Sequence, residues 1–452
     1  MPPRIALNIG LLGGGTVGGG VYDLVMSRMF PSSSSSNAPM MTISKLCVSN
    51  LSKSRDFHID PSRTTVTDDL NSVLDDPNIN VVVEVMGGVT LARDAVLKAL
   101  SSGKHVVTAN KALIASCMRE LNDALAVGAR LKAASGGAPP PVFAFEAAVC
   151  GGIPIIASLH NTYNLDTITS VMGICNGTTN YMLCKMEAGA DYAAVLKEAQ
   201  ALGYAEADPT ADVEGHDVRS KISILATLSF NGIVVPPEKI PTVGISKLSA
   251  LDFEYAKLLG CTIKLLGVAA RTPKFSEHDG PLAVYVSPHL VPLTHALAGP
   301  RAAGNAVVVS SINCGVHVYA GPGAGRFPTA NSVVADLDRI ARGAAADKPF
   351  GANFGAAPTK DDVPIDGDFS AAFYIRISIK DGLGIIRRVG EVAEKHGISI
   401  EAVLQNPITD RERVDFVVTT ERCLRSQVEG MCADVEKLEF ARKRPIFMPI
   451  LS

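Results

Sequence analysis

Nowhere does this sequence hold an unbroken apolar run of the roughly 20 residues that crossing a bilayer requires, so no membrane span is expected. It has no basic excess either: 42 Lys and Arg stand against 45 Asp and Glu, a formal net charge of -3. A general phosphate binder would carry a basic patch or surplus, so a nucleic-acid partner is not expected. The nine cysteines (47, 117, 150, 175, 184, 261, 314, 423 and 432) form no C-x-x-C pair and are odd in number. That is the pattern of reduced thiols in a reducing compartment, without disulfides. The nine histidines show no H-E-x-x-H or other ligand spacing, which removes the case for zinc. Also missing are a signal cleavage site and the Arg- and Ser-rich lead of a transit peptide, since the apolar start at Ile5–Leu12 runs straight into glycines. The expected compartment is the cytoplasm, with an organellar stroma left open because a chain relieved of its presequence would read the same. What is present is 452 residues, room for two or three domains around a substantial core, and a composition that suits small-molecule partners.

The first 150 residues alternate as a parallel sheet with crossover helices does. Strand candidates at Ile5–Leu12, Ile43–Val48, Ile79–Val85, His105–Thr108 and Val142–Phe145 are separated by helical stretches such as Thr16–Met29, Thr90–Ser101 and Lys111–Val127. This predicts an α/β, Rossmann-type doubly wound domain. Its first turn reads Gly13-x-Gly15-x-x-Gly18, directly after a strand and directly before a helix. Backbone at Gly13, Gly15, Thr16, Val17 and Gly18 can then approach a pyrophosphate lying on the helix N-terminus. Glycine turns also arise from sterics alone, but the strand–turn–helix setting favours a dinucleotide. After the serine-rich insertion at 31–40, the segment CVSNLSKSR has no acid to grip a ribose 2′-hydroxyl, whereas Ser49, Lys53 and Arg55 suit a 2′-phosphate. NADP(H) is therefore expected over NAD(H), the competing reading being a merely solvated basic loop. Gly87, in the paired glycines closing VVVEVMGG, and Asn110 and Lys111, closing KHVVTANK, fall at carboxyl ends of strands, where open α/β sheets bind ligands.

Residues 198–225 concentrate charge. Glu206, Asp208, Asp212, Glu214 and Asp217 precede Lys221. Asp217 and Lys221, four apart, share a helix face, and Val218, Ile222 and Leu225 form an apolar stripe beside it that would press the pair against the core. A partly buried lysine among carboxylates suits proton donation to a developing oxyanion. A surface Asp-to-Lys pair worth a few tenths of a kcal/mol is the bland alternative.

Taken together, GGGTVG at 13–18, VVVEVMGG at 81–88, TANK at 108–111, FEAAVCGGIPII at 145–156, GICNGTTNYML at 173–183 and GPGAGRFPTANSVVADL at 321–337 resemble the homoserine dehydrogenases, in that family's order. The resemblance implies reversible reduction of L-aspartate 4-semialdehyde to L-homoserine by a nicotinamide cofactor, on the route to threonine and methionine. It implies that Lys221 protonates the aldehyde oxygen, with Lys111 as the other candidate, that Asp212 and Asp217 orient the lysine and substrate, and that Glu206 holds the substrate ammonium. Gly203 and Gly323 would bring backbone close to the cofactor. A monovalent cation, sodium, would rest on main-chain oxygens of Glu146, Val149, Gly151 and Ile153. Cys150 in the same bend raises a rival, the phosphorylating semialdehyde dehydrogenases, but no paired base lies nearby before His160. A non-catalytic protein that keeps NADP and an amino-acid sensor is a further alternative.

Residues 151–320 are expected to form an α+β catalytic and dimerisation domain, giving a homodimer or homotetramer by the same resemblance. The stretch 321–343 would return to complete the first domain, and 344–369, rich in Gly, Pro, Ala and Asp, reads as a linker. His289 and His295 are read in a loop-like region and given no chemistry. Residues 370–452 follow a ferredoxin-like βαββαβ pattern that resembles an ACT domain, an amino-acid-sensing module. A threonine effector is expected there by the same resemblance, although its first turn, Asp381-Gly-Leu-Gly384, lacks the proline usual in that family.

Overall fold

The computed structural model describes residues 5–28, 41–136, 139–230, 233–271, 282–343 and 365–451. The serine-rich insertion at 31–40 and all but the last five residues of the expected linker lie outside them. The first sheet has six parallel strands, β1 (Leu7–Leu12), β2 (Met41–Cys47), β3 (Thr65–Thr67), β4 (Val81–Glu84), β5 (His105–Thr108) and β6 (Phe143–Ala144), in the order β3-β2-β1-β4-β5-β6. Helices cover both faces, so β4 and β5 are buried throughout and read as continuous apolar runs rather than alternating ones. The order reverses between β1 and β4, and the crevice at a reversal is where such sheets hold ligands. The helix Arg326–Ala341 packs on the helix Thr16–Arg28 of this unit, with Val334, Leu337 and Ile340 buried. Arg326 pairs with Asp23 at 2.8 Å and also with Asp56.

The second sheet contains β7 (Ile168–Ile174), β8 (Cys261–Arg271), β9 (Leu282–Pro292), β10 (Gly304–Ser311) and β11 (Gly315–Pro322), antiparallel in the order β11-β10-β7-β8-β9. The helix His216–Ser229 lies across β7, β8 and β9. Its stripe of Val218, Ile222 and Leu225 is fully buried, as the spacing predicts.

One expectation needs correction here. His289 lies within β9, buried at 1 % exposure, and not in a loop. Pro288 argues against a central strand, yet pairing on that flank of β9 is interrupted around it, with Thr242 bridging Val286 and Ile450 pairing Leu290. His295 caps the short turn Ala296–Ala298, its Nδ1 accepting the Leu297 N–H at 3.1 Å.

After the short β12 (Ile365–Asp366), the last unit runs β13 (Ser370–Ile379), helix Ile385–Lys395, β14 (Ile400–Gln405), β15 (Val414–Thr420), the short β16 (Cys423–Leu424), helix Arg425–Val435 and β17 (Ile446–Ile450). Its strand order β17-β13-β15-β14, antiparallel throughout, is the ferredoxin-like arrangement expected. β17 also pairs with β9, so this unit continues the second sheet. Phe373, Ile375 and Ile377 face its own two helices, while Tyr374 joins the core below the second sheet.

Candidate active site

At the switch point, the turn after β1 is held by Gly13 N–H to Cys47 O and Val85 N–H to Leu12 O, both 2.9 Å. A side chain at Gly13, whose φ is +108°, would meet Val85 O at 2.6 Å, and one at Gly18 would strike the Gly13 carbonyl. Gly15, in contrast, faces open space, and Gly15 and Thr16 are exposed while Val17 is half-buried. Two glycines thus serve close packing, and the third leaves room for a ligand over the start of the helix. Arg55 lies beside the turn, its guanidinium donating to Asn50 O at 2.7 Å and to Lys53 O at 2.8 Å.

The neighbouring strand ends are tied together by a buried carboxylate. Glu84, at 0 % exposure, accepts from Met86 N at 2.8 Å and from Thr108 Oγ1 at 2.6 Å. Burial raises its pKa against these bonds. Asn110 caps the helix Lys111–Ala134 by accepting from Leu113 N at 3.1 Å, and donates to Gly88 O at 2.6 Å. Gly87 and Gly88 face open space above this loop. Lys111 therefore starts a helix, where the dipole disfavours a cation unless an anion is near. The anion is Asp217, 3.0 Å away on the helix across the crevice.

Asp217 is the centre of the cluster. Its other oxygen meets Lys221 Nζ at 2.7 Å, and Asn176 Nδ2 donates to it at 2.9 Å. Asn176 also donates to Asp212 Oδ1 at 2.7 Å, while its own carbonyl caps the helix Gly177–Glu187 through Thr179 N at 2.8 Å. Lys221 completes its bonds on Cys175 O at 2.6 Å. Burial pushes the Asp217 carboxyl up, but Lys221 and Lys111 outweigh it and hold the group well below the ordinary carboxylate range. For Lys221, burial acts downward and the Asp217 charge upward, and the net shift is upward, so the ammonium persists. Asp212 is raised by burial, which its bond to Asn176 only partly offsets.

The remaining acids of the stretch separate by environment. Asp208 accepts from Thr210 N at 3.0 Å and from Thr210 Oγ1 at 2.6 Å, stabilising a local turn. Glu206 and Gly203 are exposed, in a turn tied down by Thr178 Oγ1 donating to Tyr204 O at 2.6 Å, beside Asn176. Gly323 packs against Asn305 and the Gly151 bend. In that bend the Glu146 carboxylate caps the helix Ile155–Asn161, accepting from Ile156 N at 2.9 Å and Ala157 N at 2.7 Å. Gly151 O accepts from Ser332 Oγ at 2.7 Å. Cys150 is fully buried, with no solvent face for nucleophilic attack. Asn176 and Glu84 are the participants that sequence reasoning passed over, although Asn176 stands inside the quoted GICNGTTNYML and Glu84 inside VVVEVMGG.

A nucleotide-type turn opposite a lysine–carboxylate cluster suits hydride transfer to a carbonyl with charge stabilised at its oxygen. Family models agree on both halves of it: residues 13–131 match the NAD-binding domain of homoserine dehydrogenase, and residues 154–337 match homoserine dehydrogenase itself. The chain belongs to the homoserine dehydrogenase family. The homoserine dehydrogenase of Pseudomonas aeruginosa is 38 % identical over 440 residues, covering 96 % of each chain. That of Bacillus subtilis is 36 % identical over 441 residues, covering 97 % of this chain and 96 % of its own. The crystal structure of a homoserine dehydrogenase from Thiobacillus denitrificans superposes with a TM-score of 0.85 at 35 % identity, covering all of both chains. Homoserine dehydrogenase activity is NAD(P)-dependent oxidoreduction at a CH–OH group, interconverting L-homoserine and L-aspartate 4-semialdehyde, and this is the activity of the chain. Among the described residues no helix is long and apolar enough to cross a membrane.

Proposed function

We propose that Lys221 is the group that meets the substrate oxygen during this reaction. The observation that carries the reading is Asp217 gripped by Lys111 at 3.0 Å and Lys221 at 2.7 Å at the mouth of the nucleotide crevice. When bound, the reduced nicotinamide supplies hydride to the aldehyde carbon. The carbonyl oxygen then gains negative charge, which the persistent Lys221 ammonium stabilises and protonates. Lys111 contributes the second positive charge, Asp212 and Asp217 orient the lysines and substrate, and exposed Glu206 receives the substrate ammonium. NADPH oxidation with aspartate 4-semialdehyde, repeated with NADH and with Lys221→Ala, tests the reading, and near-normal turnover by that variant would refute it.

The open space at Gly15 takes the pyrophosphate, with Thr16, Val17 and Gly87 beside it and Gly203 and Gly323 toward the nicotinamide. Arg55, alongside the turn and without an acidic competitor at the end of β2, favours the 2′-phosphate of NADP(H). An Arg55→Ala variant should lose NADPH affinity while NADH affinity stays nearly constant.

A monovalent cation, sodium, fits the bend at Glu146, Val149, Gly151 and Ile153. Among the described residues no group of three or more His, Cys, Asp or Glu could hold a metal ion, so the donors would be main-chain oxygens, which suit a hard cation. Gly151 O and Ile153 O each accept one hydrogen bond and keep a second lone pair. A rise in thermal stability with sodium over choline at equal ionic strength is expected.

The division into a cofactor domain (1–150, completed by 321–343), a catalytic and dimerisation domain (151–320), a linker (344–369) and an ACT domain (370–452) accounts for these roles. Exposed Val316 and Val318 on edge strand β11 suit a homodimer or homotetramer interface. The last unit suits a threonine effector, and an unchanged rate in saturating threonine would argue against it. The cytoplasm suits nine free cysteines.

A further inference from the structure

The catalytic turn is fastened, through one loop, to the last unit of the chain. That fastening runs through an ion pair between residues 124 apart in sequence, Arg376 on β13 and Asp252 on the helix Ala250–Leu258. Both are buried, Asp252 at 0 % exposure and Arg376 at 4 %. Asp252 Oδ1 accepts from Arg376 Nε at 2.8 Å and from Tyr374 OH at 2.9 Å. Its Oδ2 accepts from Ser249 N at 2.8 Å and Ser249 Oγ at 3.1 Å, closing the end of the loop. Arg376 Nη2 reaches past the carboxylate to Lys247 O at 3.2 Å, gripping the same loop, and Nη1 stands 3.7 Å from Asp415 Oδ1.

The loop is held to the reaction site at its other end. Ile245 N–H donates to Val213 O at 2.8 Å, and Val213 lies between Asp212 and Gly215, the residue that opens the Lys221 helix. A side chain at Gly244 would collide with the Val213 carbonyl and would come within 2.5 Å of Glu214 Cα, so the two backbones are in direct contact. Val243 N–H to Val286 O, 2.9 Å, fixes the loop to β9.

We infer that Arg376 and Asp252 are positioning residues for the reaction: by anchoring residues 245–249 they hold the Val213–Gly215 turn that spaces Asp212 from Asp217, so the last unit contributes to turnover through that loop. The inference rests on the roles proposed above for Asp212 and Asp217. A purely hydrophobic contact would stabilise the same interface without fixing the loop; the arginine fork satisfies the carboxylate and the Lys247 carbonyl at once. Lysine in its place keeps the charge but cannot hold both acceptors in that geometry.

The test uses the full chain. Arg376→Lys is expected to lower kcat about tenfold, the effect of a sub-ångström misplacement of reacting groups, while the dissociation constant for NADPH stays within about twofold because the first domain is untouched. Val389→Ala, in the core of the last unit and away from the interface, serves as a control matched by thermal melting. It should leave kcat unchanged. If Arg376→Lys retains full kcat, or if Val389→Ala lowers kcat equally at the same loss of stability, the inference is overturned. Asp217→Asn is run alongside: if it remains fully active, the role given to Asp217 fails instead. An inactive Asp217→Asn beside a fully active Arg376→Lys overturns only the positioning role.

Discussion

Lys111 Nζ lies 3.0 Å from Asp217 Oδ1, an ion pair joining the helix after β5 to the helix that carries Lys221. The lysine side chain is 43 % exposed, so solvent screens the pair and its worth to stability is small. Its worth to the reaction is larger, because a bound substrate and cofactor exclude that solvent. Lys111→Met should therefore leave the melting temperature almost unchanged and reduce kcat on the order of 10²-fold. Steady-state kinetics and a thermal melt on the same preparation check both halves.

Asn176 donates to Asp212 at 2.7 Å and to Asp217 at 2.9 Å while capping a helix. Asn176→Asp would keep the cap and replace a donor with a third negative charge between two carboxylates. It should lose turnover much more than stability. Asn176→Ala should lose both, with about 1 kcal/mol attributable to the missing cap. Chemical denaturation beside kinetics separates the two.

The acid stability of the fold has two opposing contributions. His105 and His289 are buried and neutral, their pKa values pushed down from 6.5 to about 4 by desolvation. A depressed pKa gives stability that is present above 6.5 and lost as pH falls toward 4. Glu146 is raised from 4.5 to about 7 by burial and by Asp336, and Asp336 from 3.8 to about 6 by burial. Raised pKa values act in reverse: their contribution is complete below the unfolded values and is lost as pH climbs through the folded ones. Between 4.5 and about 6, the range common to all four groups, the slopes offset and the melting temperature should be nearly flat. His105→Gln should make the melting temperature fall with pH in this window, and Glu146→Gln should make it rise. Identical slopes in the wild type and both variants would refute this account.

Much of this was legible in the sequence because it depends on local pattern. The glycine turn and the five apolar strands flanking it show as short apolar runs punctuated by glycine, and the face shared by Asp217 and Lys221 follows from a period of 3.6 residues. The βαββαβ order of the last unit is equally local. What stayed hidden depends on distant partners. Strand β3, only three residues long, exists because β2 offers an edge. Strand β9 was obscured by Pro288, whose missing N–H matters only once its neighbours are known. Asn176 looks like one more helix cap until Asp212 and Asp217 arrive 36 and 41 residues later. Arg376 and Asp252 carry no local signal at all, since each is an ordinary charged residue until the last sheet docks on the second.

The most direct measurement of the central claim is single-turnover oxidation of bound NADPH by aspartate 4-semialdehyde in Lys221→Ala, with NADPH binding measured separately by fluorescence. The account predicts unchanged cofactor binding and a hydride-transfer rate lower by on the order of 10²- to 10³-fold. A rate within about threefold of the wild type, with cofactor and substrate both bound, would contradict it.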